Sequence, residues 1–299
     1  MPLAHEAGFY GASEFLATVP LLIAAALYVY AYLRVRRRRV GWSLARLSCF
    51  LAGPAAVAVA LLPPLASHDD QFAVHITQHL LLAMAAPLLL ALSAPITLAL
   101  RTLPPGGRRC LSRVLHARPL WLLSRPLVAA LLDFVPLYLL YLTPLYAYAL
   151  THPTVHELLH VHFLVAGCFF TWATVGVDPL PGRASVGARG AAIVLAFAAH
   201  GTIAKMMYAA GSNVAGVSVH SWRTGAQLMW YGGDAIEILL VLAFALQWYR
   251  VAGKRLERAG REGKEPTSTS ASRRKARCTR RYLASGWLWP VRRLPRAAR

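Results

Sequence analysis

The chain has 299 residues, 57% of them hydrophobic and 15% charged, with a formal net charge of +20. Its apolar residues are gathered in long unbroken runs, which is the composition of a membrane protein rather than of a soluble domain. The charge points first to nucleic acid, but sixteen Lys and Arg lie beyond residue 249 against only Glu257, Glu262 and Glu265. A basic tail of that kind, with "EPTSTSAS" in its middle, reads as disordered and attracted to anionic lipid; no nucleic-acid partner is expected.

A helix needs about 20 apolar residues to cross a hydrocarbon core of roughly 30 Å. Seven stretches qualify, at about 13–33, 42–65, 72–100, 126–149, 153–177, 190–210 and 226–249. The expected fold is therefore an all-α integral membrane bundle of about seven helices over residues 1–250, followed by a basic cytoplasmic tail over 251–299. Pro87 and Pro95 stand where the long third helix can bend. Nothing basic precedes the first stretch, so it reads as a retained helix and not as a signal peptide.

Arginines orient such a chain, because short loops rich in Lys and Arg stay in the cytoplasm. Arg34 and Arg36 to Arg39 follow the first helix, six arginines separate the third from the fourth, and Arg183 and Arg189 separate the fifth from the sixth. The other loops hold a single arginine, Arg223, against Asp69 and Asp70. That bias predicts an outer N terminus and a cytoplasmic C terminus. Cys49, Cys110, Cys168 and Cys278 form no disulfide framework and no CxxC pair.

The histidines are distributed against this background. The segment "HPTVHELLHVHF", residues 152–163, puts four imidazoles at the mouth of an apolar helix. Histidines four apart share a helix face, and the chain does this twice, at His75 and His79 and at His156 and His160. His75 and His156 each lie about three residues into a helix, and His79 and His160 about seven, so two facing tiers of imidazole are expected. His162 follows in the same run, His200 would lie near the floor of such a pocket, and Met206 and Met207 near its rim.

Imidazole with thioether suits copper, and a carboxylate-poor set does not suit calcium or magnesium. Two other readings stand beside this one. A histidine near a helix end is often an interfacial residue hydrogen-bonded to a neighbour, and two facing histidines also hold haem iron. Deeper in the sequence, Asp234 and Glu237 share one face of the seventh helix, and Lys205 lies in the sixth. They are expected either to form an ion pair linking the two helices or, for the acids, to orient a ligating imidazole. Asp133 and Arg46 are candidates for a similar pair, and Gly232 and Gly233 for a close helix approach.

Three segments carry a resemblance: "HITQHLLLAMAAPLLLALSAPITLALR", "HPTVHELLHVHFLVAGCFFTWATVGVDPLPGR" and "LMWYGGDAIEILLVLAFALQWYR". They resemble the seven-helix CtaG-type cytochrome c oxidase assembly proteins of bacteria, over roughly residues 10–250. The resemblance implies a multi-pass protein of the bacterial plasma membrane that is not an enzyme. It would assist maturation of a haem-copper oxidase, with oxidase subunits as partners and copper handled on the outer face. It carries the family's histidines onto His75, His79, His156, His160, His162 and His200, and a seventh-helix acid onto Asp234. A haem-binding redox protein and a small-solute or metal transporter are the alternative functions.

Overall fold

Polarity in these helices is inverted relative to a soluble bundle. Large apolar side chains such as Leu131, Val194 and Leu239 face outward, whereas His75, His79, Asp133, His200 and Glu237 are buried. Hydrocarbon leaves no reason to hide leucine but a strong one to enclose imidazole and carboxyl groups.

The computed structural model describes residues 3–39, 41–63, 65, 67, 71–179, 182–212, 214 and 217–262. His68, Asp69, Asp70 and the tail beyond Glu262 lie outside the described residues. All described secondary structure is helical: α1 (Leu3–Arg37), α2 (Leu44–Leu61), α3 (Phe72–His79), a π-helical turn (Leu80–Ala85), α4 (Ala86–Ser93), α5 (Pro95–Thr102), α6 (Pro105–Leu115), α7 (Arg118–Leu123), α8 (Pro126–Leu142), α9 (Leu145–Thr151), α10 (Pro153–Val175), α11 (Val186–Ala210) and α12 (Val219–Glu262). The chain divides into two units after Trp248. The first holds the helices discussed below; of the second, only the end of α12 is described.

Six helices are long and apolar enough to cross a membrane, and α8 with α9 would make a seventh if that bent pair is one span. The fourth stretch is thus not the straight helix expected: α8 and α9 meet at 81°. Pro144 is the reason, since it offers no N–H and drives the preceding Thr143 into an extended conformation, φ −121° and ψ 173°. The seventh helix also begins earlier than expected, at Val219.

The third span bends where its prolines predict. The π turn at Leu80–Ala85 precedes Pro87, and a break at Ala94, with φ 54°, precedes Pro95. Ala94 has no side-chain oxygen with which to cap the first amides of the new helix. Asp178, far along the chain, does it instead, accepting from the Ile96 amide at 3.2 Å, the Thr97 amide at 2.7 Å and the Thr97 hydroxyl at 2.6 Å. Burial pushes the Asp178 carboxyl up from its ordinary range, partly opposed by those hydrogen bonds.

Close packing brings α10 against the π turn. A Cβ on Gly167 would overlap the Ala83 carbonyl, so glycine is needed there. The glycines of α12 act similarly, as expected: a side chain on Gly232 would meet Leu80, and one on Gly233 would overlap the His200 ring.

Candidate metal centre

The start of α3 and the start of α10 lie at the same end of the bundle, which brings their histidines together. His156 Nε2 stands 3.3 Å from His75 Nδ1. The His156 and His160 rings are 4.5 Å apart between centroids, and those of His75 and His160 are 6.3 Å apart. One ring nitrogen from each of the three can be chosen so that all lie within 4.8 Å of one another. Two nitrogens bound tetrahedrally at about 2.0–2.1 Å would be roughly 3.3 Å apart, so the His75–His156 spacing already matches a shared ion.

The walls of this site are aromatic. Phe72 stacks on Trp222 at 4.1 Å, and Tyr146 lies 4.8 Å from His75 between ring centroids. Tyr146 reaches it because the α8–α9 bend turns α9 back over the bundle. Within this recess His75 Nε2 and His160 Nε2 are buried without a hydrogen-bond partner. A buried polar atom left so costs about 1–3 kcal/mol, and a bound cation is one way to relieve it. The donor set therefore fits a transition metal that accepts imidazole.

The arrangement differs from the expected two tiers. His75 faces both His156 and His160, giving a cluster of three. His79 turns away toward His200, with ring centroids 6.4 Å apart. Helical twist is the cause: residues four apart advance by somewhat more than one turn, so the deeper histidine of α3 is rotated toward α11.

His162 does not join the cluster. It donates from Nε2 to the Leu132 carbonyl at 3.1 Å. Met206 is exposed, and Met207 is packed inside with its carbonyl accepting from Trp222 Nε1 at 2.9 Å. Neither lines the cluster. Lys205 makes no ion pair with Asp234 or Glu237; its ammonium lies 4.5 Å from the Trp230 ring centroid. Between α11 and α12, His200 Nδ1 and Glu237 Oε1 stand 4.0 Å apart, beyond hydrogen-bond reach. Asp133 and Arg46 do not pair either. Arg46 lies over Trp42 at 4.7 Å, and Asp133 lines an internal cavity beside His79, His200 and Glu237. Asp234 is half-buried, with Oδ1 lacking a partner.

Sequence reading missed the aromatic walls and Met84, which lines that cavity. An isolated methionine in an apolar run carries no signal, whereas Tyr141 and Tyr146, polar-tipped residues in a lipid-facing stretch, did offer one.

Fold and site together define a multi-pass helical membrane protein with an internal histidine cluster. The chain belongs to the cytochrome c oxidase caa3 assembly factor family, whose sequence profile matches residues 26–251. It is 30% identical over 249 residues to proteins of Mycobacterium bovis and Mycobacterium tuberculosis, and over 246 residues to one of Mycobacterium leprae; all three are named only as uncharacterized proteins. The matches cover 77%, 77% and 75% of this chain but 38%, 38% and 37% of those relatives, so the chain spans well under half their length. No solved structure matches it.

Proposed function

We propose that this protein serves the maturation of a caa3-type cytochrome c oxidase by holding copper at His75, His156 and His160 and passing it to an oxidase subunit on the outer side of the plasma membrane. The observation that carries the reading is the convergence of three imidazole nitrogens within 4.8 Å in a recess. Neutral donors alone favour a metal that binds nitrogen well, and copper stands at the top of that order.

The test is the oxidase of a strain lacking this protein. Oxidase subunits should accumulate with haem in place, while copper content and activity fall. Full-length protein restored with His156→Ala and His160→Ala should resemble the deletion. Normal oxidase copper in the deletion strain would overturn the copper role.

A further inference from the structure

The end of α1 and the start of α2 enclose a cleft of about 480 Å³, lined by Tyr32, Arg36, Arg39, Gly41, Trp42 and Leu44. It lies at a boundary of the membrane, because the first apolar span ends at Arg37 and the second begins at Leu44. Arg101, one residue before the end of the span that carries His75 near its start, stands 5.2 Å from the Trp42 ring centroid. The cleft and the histidine cluster are therefore at opposite ends of that span.

The indole in the cleft is held rigidly. Trp42 Nε1 donates to the Tyr28 hydroxyl at 3.2 Å, and that hydroxyl donates onward to the Ser93 carbonyl at 2.7 Å. Tyr28 is itself buried and stacked on Phe50, with 3.8 Å between ring centroids. The Arg46 guanidinium lies 4.7 Å from the Trp42 ring centroid. Arg36 Nη1 donates to the Tyr32 hydroxyl at 3.4 Å, which ties it to the cleft wall.

Arg39 adds an independent signal. Its φ of 55° is in the left-handed region, just past the end of α1, where glycine normally closes a helix. A Cβ makes that conformation costly, and strain of this kind gathers at functional sites. The turn sets Arg39 beside Arg36 on one cleft wall.

The charge there is uncompensated. Arg46 is within electrostatic reach of Asp178, but among the described residues no Asp or Glu lines the cleft, so Arg36 and Arg39 face no carboxylate across it. Two guanidinium forks opening on one space match phosphate oxygens, which accept paired N–H bonds. Indole is suited to the headgroup level of a bilayer, and the exposed Leu44 continues the surface toward hydrocarbon.

We propose that this cleft binds an anionic phospholipid, with Arg36 and Arg39 holding its phosphate, Trp42 packing against its glycerol region and Leu44 leading to its acyl chains. A free phosphate ion would satisfy the two arginines and leave Trp42 and Leu44 unused, which favours the lipid. The site shares no residue with the histidine cluster and does not depend on any metal held there.

For the test, full-length protein stripped of lipid in detergent is titrated with dioleoylphosphatidylglycerol, and bound lipid is counted by native mass spectrometry. Arg39→Gly is the sharpest variant, since glycine suits the left-handed turn while the guanidinium is lost. It should melt at or above the parent's temperature yet bind the first lipid about fivefold more weakly. Arg36→Gln should weaken binding similarly. Arg37→Gln and Arg38→Gln remove the same charge from exposed positions outside the cleft and should bind as the parent does. Equal weakening in all four variants would reduce the site to diffuse attraction and overturn it, as would unchanged affinity in both Arg39→Gly and Arg36→Gln. Two competitors separate the sources of phosphate. Excess dioleoylphosphatidylcholine should not displace the first phosphatidylglycerol, and inorganic phosphate should displace no more than chloride of equal ionic strength does. Displacement by phosphatidylcholine would refute the preference for an anionic lipid, and displacement by phosphate would reassign the cleft to a free anion.

Discussion

His162 donates from Nε2 to the carbonyl of Leu132, 3.1 Å away, and Leu132 stands four residues before Pro136. In a regular helix that carbonyl accepts from the amide of residue 136, and proline has none to give. The imidazole of α10 thus fills the vacancy that proline leaves in α8, inside a medium where no water would fill it.

The relationship predicts a coupled pair of substitutions. His162→Ala should lower stability in detergent by about 1 kcal/mol. Pro136→Ala restores an amide to Leu132, so the double variant should lose less than the two single losses added together. Thermal melts of the four proteins measure the coupling. Strict additivity would show that the histidine is not compensating for the proline, and metal binding should survive His162→Ala in either case.

The approach of Gly167 to the Ala83 carbonyl sets how closely α10 lies against the third span. Gly167→Ala should therefore cost about 1–3 kcal/mol by overpacking. It should also weaken metal binding, because α10 carries His156 and His160 while His75 lies on α3. Gly201 has nothing within 4 Å of its would-be Cβ, so Gly201→Ala should be neutral or slightly stabilising, by up to about 1 kcal/mol. Comparable losses in both variants would remove the close approach as the explanation.

Asp178 caps α5 from 81 positions further along the chain than Thr97. Asp178→Ala removes the acceptor for two helix-start amides and should cost about 1–2 kcal/mol, as loss of a cap does. Asp178→Asn keeps an acceptor oxygen without the charge that burial disfavours, so its melting temperature should lie nearer the parent. If Asn is as damaging as Ala, the carboxylate matters for more than capping.

These cases explain what was legible in the sequence and what was not. Helix existence followed from apolar run length, and the breaks before Pro95 and at Pro144 follow from the missing proline amide, although only the first was anticipated. The i, i+4 histidine pairs correctly marked one end of the third and fifth spans. Which histidine faces which depends on the rotation of α3 against α10 and α11, a quantity fixed by Gly167, the π turn and Gly233 and by no spacing within a single helix. His162 looked like a ligand because its proline-dependent partner lies 30 residues away. Lys205 looked like an ion-pair partner because hydropathy cannot tell that Trp230 stands beside it.

Orientation decides to which side of the membrane the three-histidine cluster opens, since His75 and His156 both lie near the starts of their helices, α3 and α10. The arginine bias predicts that the segment before α3 lies outside the cell and the end of α5 in the cytoplasm. Single cysteines at Ser67 and Thr102 test this directly. They need a background without native cysteines, because Cys110 is exposed. A membrane-impermeant maleimide added to intact cells should label Ser67→Cys and leave Thr102→Cys unmodified until the membrane is opened. The reverse pattern would turn the three-histidine recess toward the cytoplasm, and copper would then have to be drawn from the cytosol and not from the side on which the delivery step is proposed.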